Sequence, residues 1–174
     1  MTNNYVKLLV QFVLLILAQV LILNQVSVFS YAVPLLYVYF IIKLPVNFNR
    51  SLTQLIAFIL GLSIDAFTNS YGINSAATIL VAFLRPYIQK LFFSLEDFDD
   101  VVPSVSKLGA GNFYKYAVSM VLVHHSAIFL IEYLSLRDAS SLLLHIGLSS
   151  VLTLLIVSAL ESFSYKQRAR NERR

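Results

Sequence analysis

Polar positions in this chain are sparse, and most of them fall at the breaks between long apolar runs. The first run, residues 6–23, is interrupted only by Lys7, Gln11 and Gln19. A second covers about 28–44, with Pro34 near its start and Leu44-Pro45 closing it. A third covers about 52–67, and a fourth about 74–87, where Pro86 predicts a kink or a boundary. The fifth and sixth cover about 113–134 and 142–163. A membrane-spanning helix needs roughly 20 mainly apolar residues, so each run reads as one span, with runs two to four short enough to be tilted or thinly spanning. Between runs three and four, Thr68-Asn69-Ser70-Tyr71-Gly72 is a tight polar connection, with Gly72 available for a positive-φ turn. No repeat of fixed period is visible. The pattern predicts one all-α domain over 1–174, an integral membrane protein with six transmembrane helices. It leaves a loop at about 88–112 and a basic tail at 164–174.

A secretory leader is the competing explanation of the first run. That run is longer than the usual h-region of about 7–15 residues, and no small-residue cleavage site follows it, so it is expected to remain as the first span. Composition agrees with a lipid environment. Apolar residues make up 58% and charged residues 13% of 174 positions, with a mean hydropathy of +0.76. A soluble domain carries about a quarter charged residues. With no cysteine, neither a disulfide framework nor a thiolate metal site is available.

The basic residues set the orientation. With six spans and the N-terminus in the cytoplasm, every one of the 13 Lys and Arg residues except Arg137 falls on the cytoplasmic side, as the positive-inside rule requires. Both ends are therefore expected inside. The net charge of +4 is a topology signal and not a nucleic-acid footprint. The tail from Lys166 to Arg174 flanks the last span and would attract anionic lipids. The acidic stretch Glu96, Asp97, Asp99 and Asp100 lies in the longest cytoplasmic loop, where a cytosolic partner could meet it.

Few groups within the spans can carry chemistry. Asp65 stands out, because a charge at membrane depth costs about 2.5–3.5 kcal/mol on insertion scales. It lies about 20 Å along its helix from Leu52, toward the outer end of the span. Gly61 and Ala57 precede it by one and two turns and form a small-residue stripe for close helix approach. Asp65 thus reads as part of a packed interface or as a group reaching interfacial water. His124 and His125 point to different faces of span five, which argues against a metal site. Glu132 and His145 are expected to meet near the outer surface, as are Arg137 and Asp138. Gln11 and Gln19 share a face of the first span and can hydrogen-bond another helix. No HExxH, nucleophile-elbow or phosphate-loop motif appears, so neither an enzyme nor a cofactor is expected.

The string from Gly61 to Asn74 (Gly61-Leu62-Ser63-Ile64-Asp65, the Ser/Gly turn, then Gly72-Ile73-Asn74) resembles the corresponding segment of the rod shape-determining protein MreD family. Gln19 late in span one, Pro34 with Tyr37 and Tyr39 in span two, and Ala82-Phe83-Leu84 in span four fit in order. The close likeness covers about Gln19 to Tyr87. It implies a noncatalytic scaffold of the bacterial cytoplasmic membrane, serving cell elongation, rod shape and lateral peptidoglycan synthesis. Its implied partners are MreC, directly, and MreB, RodA and a class B penicillin-binding protein in the same complex. The implied fold is similar to the substrate-binding subunits of energy-coupling-factor transporters. Gly61, Asp65, Gly72 and Asn74 would then shape a hairpin or a partner-docking surface, with Gln19, Glu132 and His145 as secondary polar candidates. The alternative is such a vitamin-binding subunit itself, although span one holds a single alanine, Ala18, where an alanine stripe would be expected.

Overall fold

The computed structural model describes residues 2–26, 32–94, 101–132 and 139–171. These form helices α1 (Thr2–Leu21), α2 (Val38–Ile42), α3 (Arg50–Thr68), α4 (Ile73–Phe92), α5 (Val105–Glu132) and α6 (Ala139–Asn171), with a short 3₁₀ turn, Leu23–Gln25, after α1. No strand occurs among the described residues. Four segments are long and apolar enough to cross a membrane: Val6–Gln25, Arg50–Thr68, Val105–Glu132 and Ala139–Lys166. The chain is therefore an all-helical membrane protein.

The two remaining runs differ from the expected spans. In the second, only Val38–Ile42 is α-helical, and the described residues before it form no regular helix. Pro34 disfavours helical geometry at Val33 and has no N–H of its own to give. What replaces the helical bonds is a set of side chains from two flanking helices. Val33 N donates to Ser149 Oγ at 3.1 Å, and Leu35 N donates to Thr153 Oγ1 at 3.0 Å. Leu36 N donates to Gln19 Oε1 at 2.8 Å, while Gln19 Nε2 donates to Pro34 O at 2.9 Å. Irregular backbone survives at membrane depth only where protein satisfies it in this way. The segment then enters α2, all of whose residues are buried, and this run forms the axis of the core.

The fourth run is a full helix, and it continues through Pro86 to Phe92 with no boundary there. Proline is tolerated in such a setting because neighbouring groups compensate for the lost bond. Asn74, Ser75, Thr78, Arg85 and Gln89 make α4 more polar than the four long apolar segments, and all five are buried. The helix packs between α3 and α5, so its polar face meets protein. Against α3 the approach is close. A Cβ on Gly61 would lie 2.5 Å from Ser75 Cα and 2.6 Å from Asn74 O, so only glycine fits. By contrast α1 is a peripheral helix, burying Leu15 and Gln19 and leaving Leu9, Leu14 and Leu21 exposed, as suits contact with lipid. Its Phe12 ring packs edge-on against Phe40 of α2, with centroids 5.3 Å apart. Helix α5 starts within the loop expected at 88–112 and is broken near its start by Gly109, at φ 73.

Candidate functional site

The α3–α4 hairpin is built around Asp65. Helix α3 ends at Asn69, which takes a left-handed conformation (φ 54), and its N–H donates to the Asp65 carbonyl. The turn continues through Tyr71 (φ 50) and Gly72 (φ 91), where glycine carries the positive φ without a Cβ penalty. Gly72 occupies the N-cap position of α4 and therefore offers no capping side chain. Asp65 supplies that cap from the preceding helix. Its Oδ2 accepts from Ser75 N at 2.9 Å and from Ser75 Oγ at 2.5 Å. Its Oδ1 accepts from Asn74 N and Asn74 Nδ2, both at 3.0 Å, and from Ser70 Oγ at 2.6 Å.

Five donors thus surround one carboxylate that is 5% exposed, and no cation is among them. Two are the orphan amides of a helix N-terminus, where a negative charge also meets the positive end of the helix dipole. The network extends outward. Asn74 Nδ2 also donates to Ser70 Oγ at 2.7 Å, and Tyr37 Oη donates to Asn74 Oδ1 at 2.5 Å. The Thr78 hydroxyl donates to the Asn74 carbonyl. Gly61, Asp65, Gly72 and Asn74 therefore act together: one permits the approach, one caps, one turns and one links the cap to the core.

Gln19 belongs to a separate arrangement. Besides Pro34 and Leu36 it reaches Asn24, with Nε2 donating to Oδ1 at 2.8 Å. His125 extends the same arrangement from α5. Its Nδ1 lies 2.9 Å from Val121 O, a group that can only accept, so Nδ1 carries the proton. In the neutral ring its Nε2, 3.1 Å from Thr153 Oγ1, is the acceptor. Thr153 consequently donates to His125 and accepts from Leu35 N, and every hydrogen-bonding role is filled by a neutral imidazole. His124 is fully buried, and neither of its nitrogens has a partner. Its ring packs edge-on against Tyr37, with centroids 4.9 Å apart.

A cavity of about 370 Å³ opens beside the capped hairpin, lined by Ser70 and Asn74, by Val33 and Leu35, and by Glu132 and His145. Glu132 and His145 thus share one cavity, while the His145 Nδ1 contact at 2.7 Å goes to the Ser141 carbonyl of its own helix. Arg137, Asp138 and the acidic stretch Glu96 to Asp100 lie outside the described residues, as do the side chains of Arg168 to Arg174. No group of three or more metal-ligating side chains occurs among the described residues.

Sequence reasoning missed a second polar cluster, at the opposite end of the bundle. Glu161 of α6, 2% exposed, accepts from Lys43 Nζ and from Tyr39 Oη, both at 2.6 Å, and its other oxygen accepts from Val105 N at 3.3 Å. Nearby, Arg85 Nη2 donates to the carbonyls of Leu44 (2.5 Å) and Pro45 (2.9 Å). An acidic residue late in an apolar run, with a lysine closing another, was the available signal for the first pair. The Ser149-xxx-Thr153 spacing on one face of α6 was the signal for the pinned segment. Comparison of the chain with family models, curated proteins and solved structures gave no match.

Proposed function

We propose that this chain is a noncatalytic membrane scaffold of the bacterial cell-elongation machinery, of the MreD type, crossing the cytoplasmic membrane six times with both ends inside. The observation that carries the proposal is the use made of Asp65. All five donors around its carboxylate come from the hairpin that follows it, so the one conspicuous charge of span three is spent on shape. An ion path or a general base would instead need a carboxylate with a free face. The string carrying the family resemblance, Gly61 to Asn74, is this same hairpin. In the six-pass reading, the pinned second segment crosses as an interior element, and α4 crosses with its polar face against protein and Leu80, Phe83, Tyr87 and Leu91 exposed on the other side.

The hairpin forms one wall of the outward-facing cavity, and the exposed Glu132 forms part of its rim. We assign this cavity to the membrane-proximal part of MreC, whose engagement would tie cytoplasmic MreB to RodA and its class B penicillin-binding protein. The test is co-purification of MreC with Glu132→Arg and Asp65→Asn variants, alongside rod-shape rescue in a strain depleted of the native gene. Both variants should accumulate in the membrane, and Glu132→Arg should lose MreC. Unchanged MreC capture and full rescue by both would sink the assignment. The volume of the cavity also suits a small ligand, which is the specific support for the vitamin-binding alternative. Saturable binding of a vitamin by the purified chain would put that alternative first.

A further inference from the structure

At the end of the bundle opposite Asp65, a cavity of about 350 Å³ lies between the start of α3 and the end of α4. Arg50, Arg85 and Lys90 line it together with Asn49, Thr53 and Gln89, and no carboxylate does. Arg50 and Lys90 are exposed. Arg85 and Gln89 are buried, at 3% and 1% exposure, and both side chains also turn toward the buried Tyr116 hydroxyl. Three cations around a concave space with no carboxylate in its lining describe a seat for an anion.

A second feature says which anion. An apolar groove of about 310 Å³ runs between Leu8, Leu9 and Phe12 of α1 and Leu52, Ile56 and Ile59 of α3. Phe48 lines both the groove and the basic cavity, so the two adjoin. From Leu52 to Ile59 the groove follows α3 for about 10 Å, well within a leaflet of about 15 Å. A headgroup phosphate at the first turn of α3 and an acyl chain along its next two turns is the layout of one lipid molecule.

We propose that this end of the bundle binds an anionic phospholipid, its phosphate held among Arg50, Arg85 and Lys90 and one acyl chain laid in the groove between α1 and α3. The site is distinct from the basic tail and does not depend on the role in cell elongation. Free phosphate shares the headgroup chemistry but has no use for the groove, and this difference separates the two sources.

The experiment is native mass spectrometry of the full chain in mild detergent, titrated with phosphatidylglycerol, phosphatidylcholine or inorganic phosphate. One phosphatidylglycerol should be retained in preference to phosphatidylcholine. The Arg50→Gln/Lys90→Gln double variant should weaken retention about ten- to thirtyfold. Ile56→Trp, which fills the groove, should weaken it independently, with melting temperatures confirming that both variants are folded. Arg85 is left intact because it holds the Leu44 and Pro45 carbonyls. Removing two charges from the tail, by Lys166→Gln/Arg168→Gln, should leave retention unchanged. Equal retention of the two lipids, or equal loss in the tail variant, would overturn the proposal in favour of diffuse attraction. Inorganic phosphate displacing the lipid while Ile56→Trp has no effect would overturn it in favour of a phosphate-only site.

Discussion

Replacing Asp65 by alanine removes the acceptor of five hydrogen bonds at once, but the loss is not five equal parts. The hydroxyls of Ser70 and Ser75 can rotate toward other acceptors, and Asn74 Nδ2 keeps its bond to Ser70 Oγ at 2.7 Å. The amides of Asn74 and Ser75 cannot turn away. They are the second and third N–H groups of α4, and Gly72 has no side chain to offer them. A buried donor left unsatisfied costs about 1–3 kcal/mol, so Asp65→Ala should destabilise by about 2–6 kcal/mol. Asp65→Asn keeps one acceptor oxygen and should cost about half as much. Unfolding free energy in lipid, by steric trapping or a reversible denaturant titration, would rank the two variants. Hydrogen exchange at the Asn74 and Ser75 amides should accelerate in both, ahead of the rest of α4. A change under about 0.5 kcal/mol for Asp65→Ala, an ordinary surface effect, would refute the capping argument.

A matched pair of glycine substitutions tests the packing of the hairpin. Gly61→Ala must push α3 away from the α4 backbone and should cost about 1–3 kcal/mol or more, whereas Gly147→Ala meets no atom within 4 Å and should be neutral or slightly stabilising by the same melting assay. Gln19→Leu strands the Pro34 carbonyl and the Leu36 amide, a loss of about 2–6 kcal/mol that should appear together with exchange at Leu36. The chain has no native cysteine, so single cysteines report topology without background. A cysteine at Tyr71, 99% exposed in the hairpin turn, should label with an impermeant maleimide from outside the cell, and one at Ser164 only after permeabilisation. Labelling of both from one side would contradict the six-pass reading.

How far the sequence reaches is clearest where apolar runs and polar partners disagree. Runs one, three, five and six each hold a helix able to cross a membrane, run three because its helix extends from Arg50 to Thr68. The pairing of Gly61 with Asp65 on one stripe was visible from spacing alone, as was the turn at Gly72. The target of Asp65 was not, because its acceptor role depends on Ser75 and Asn74 arriving across the turn at hydrogen-bonding distance. The second run misled in a different way. An apolar stretch of that length reads as a helix, and what makes part of it irregular lay in Gln19, Ser149 and Thr153, far away in sequence. At Pro86 the sequence left a kink or a boundary open, and the packed helix runs on through it to Phe92. Arg85 and Glu161 look like flanking charges by position, yet both are buried, since carbonyls, an amine and a phenol meet them inside the bundle.

The pinned stretch from Val33 to Leu36 also dictates an order of assembly. Two of its amides are bonded to residues 116 and 118 positions later, in the last helix. At a synthesis rate of about 5–20 residues per second, those partners leave the ribosome about 6–24 seconds after the segment itself. Throughout that interval the stretch is apolar enough to leave water but has backbone groups that hydrocarbon cannot solvate. It must therefore wait at the membrane interface or beside an insertion factor, and enter its final place only when α6 arrives. Ribosomes stalled before Ser149 should hold a nascent chain whose first and third helices are inserted while residues 33–36 still exchange with water.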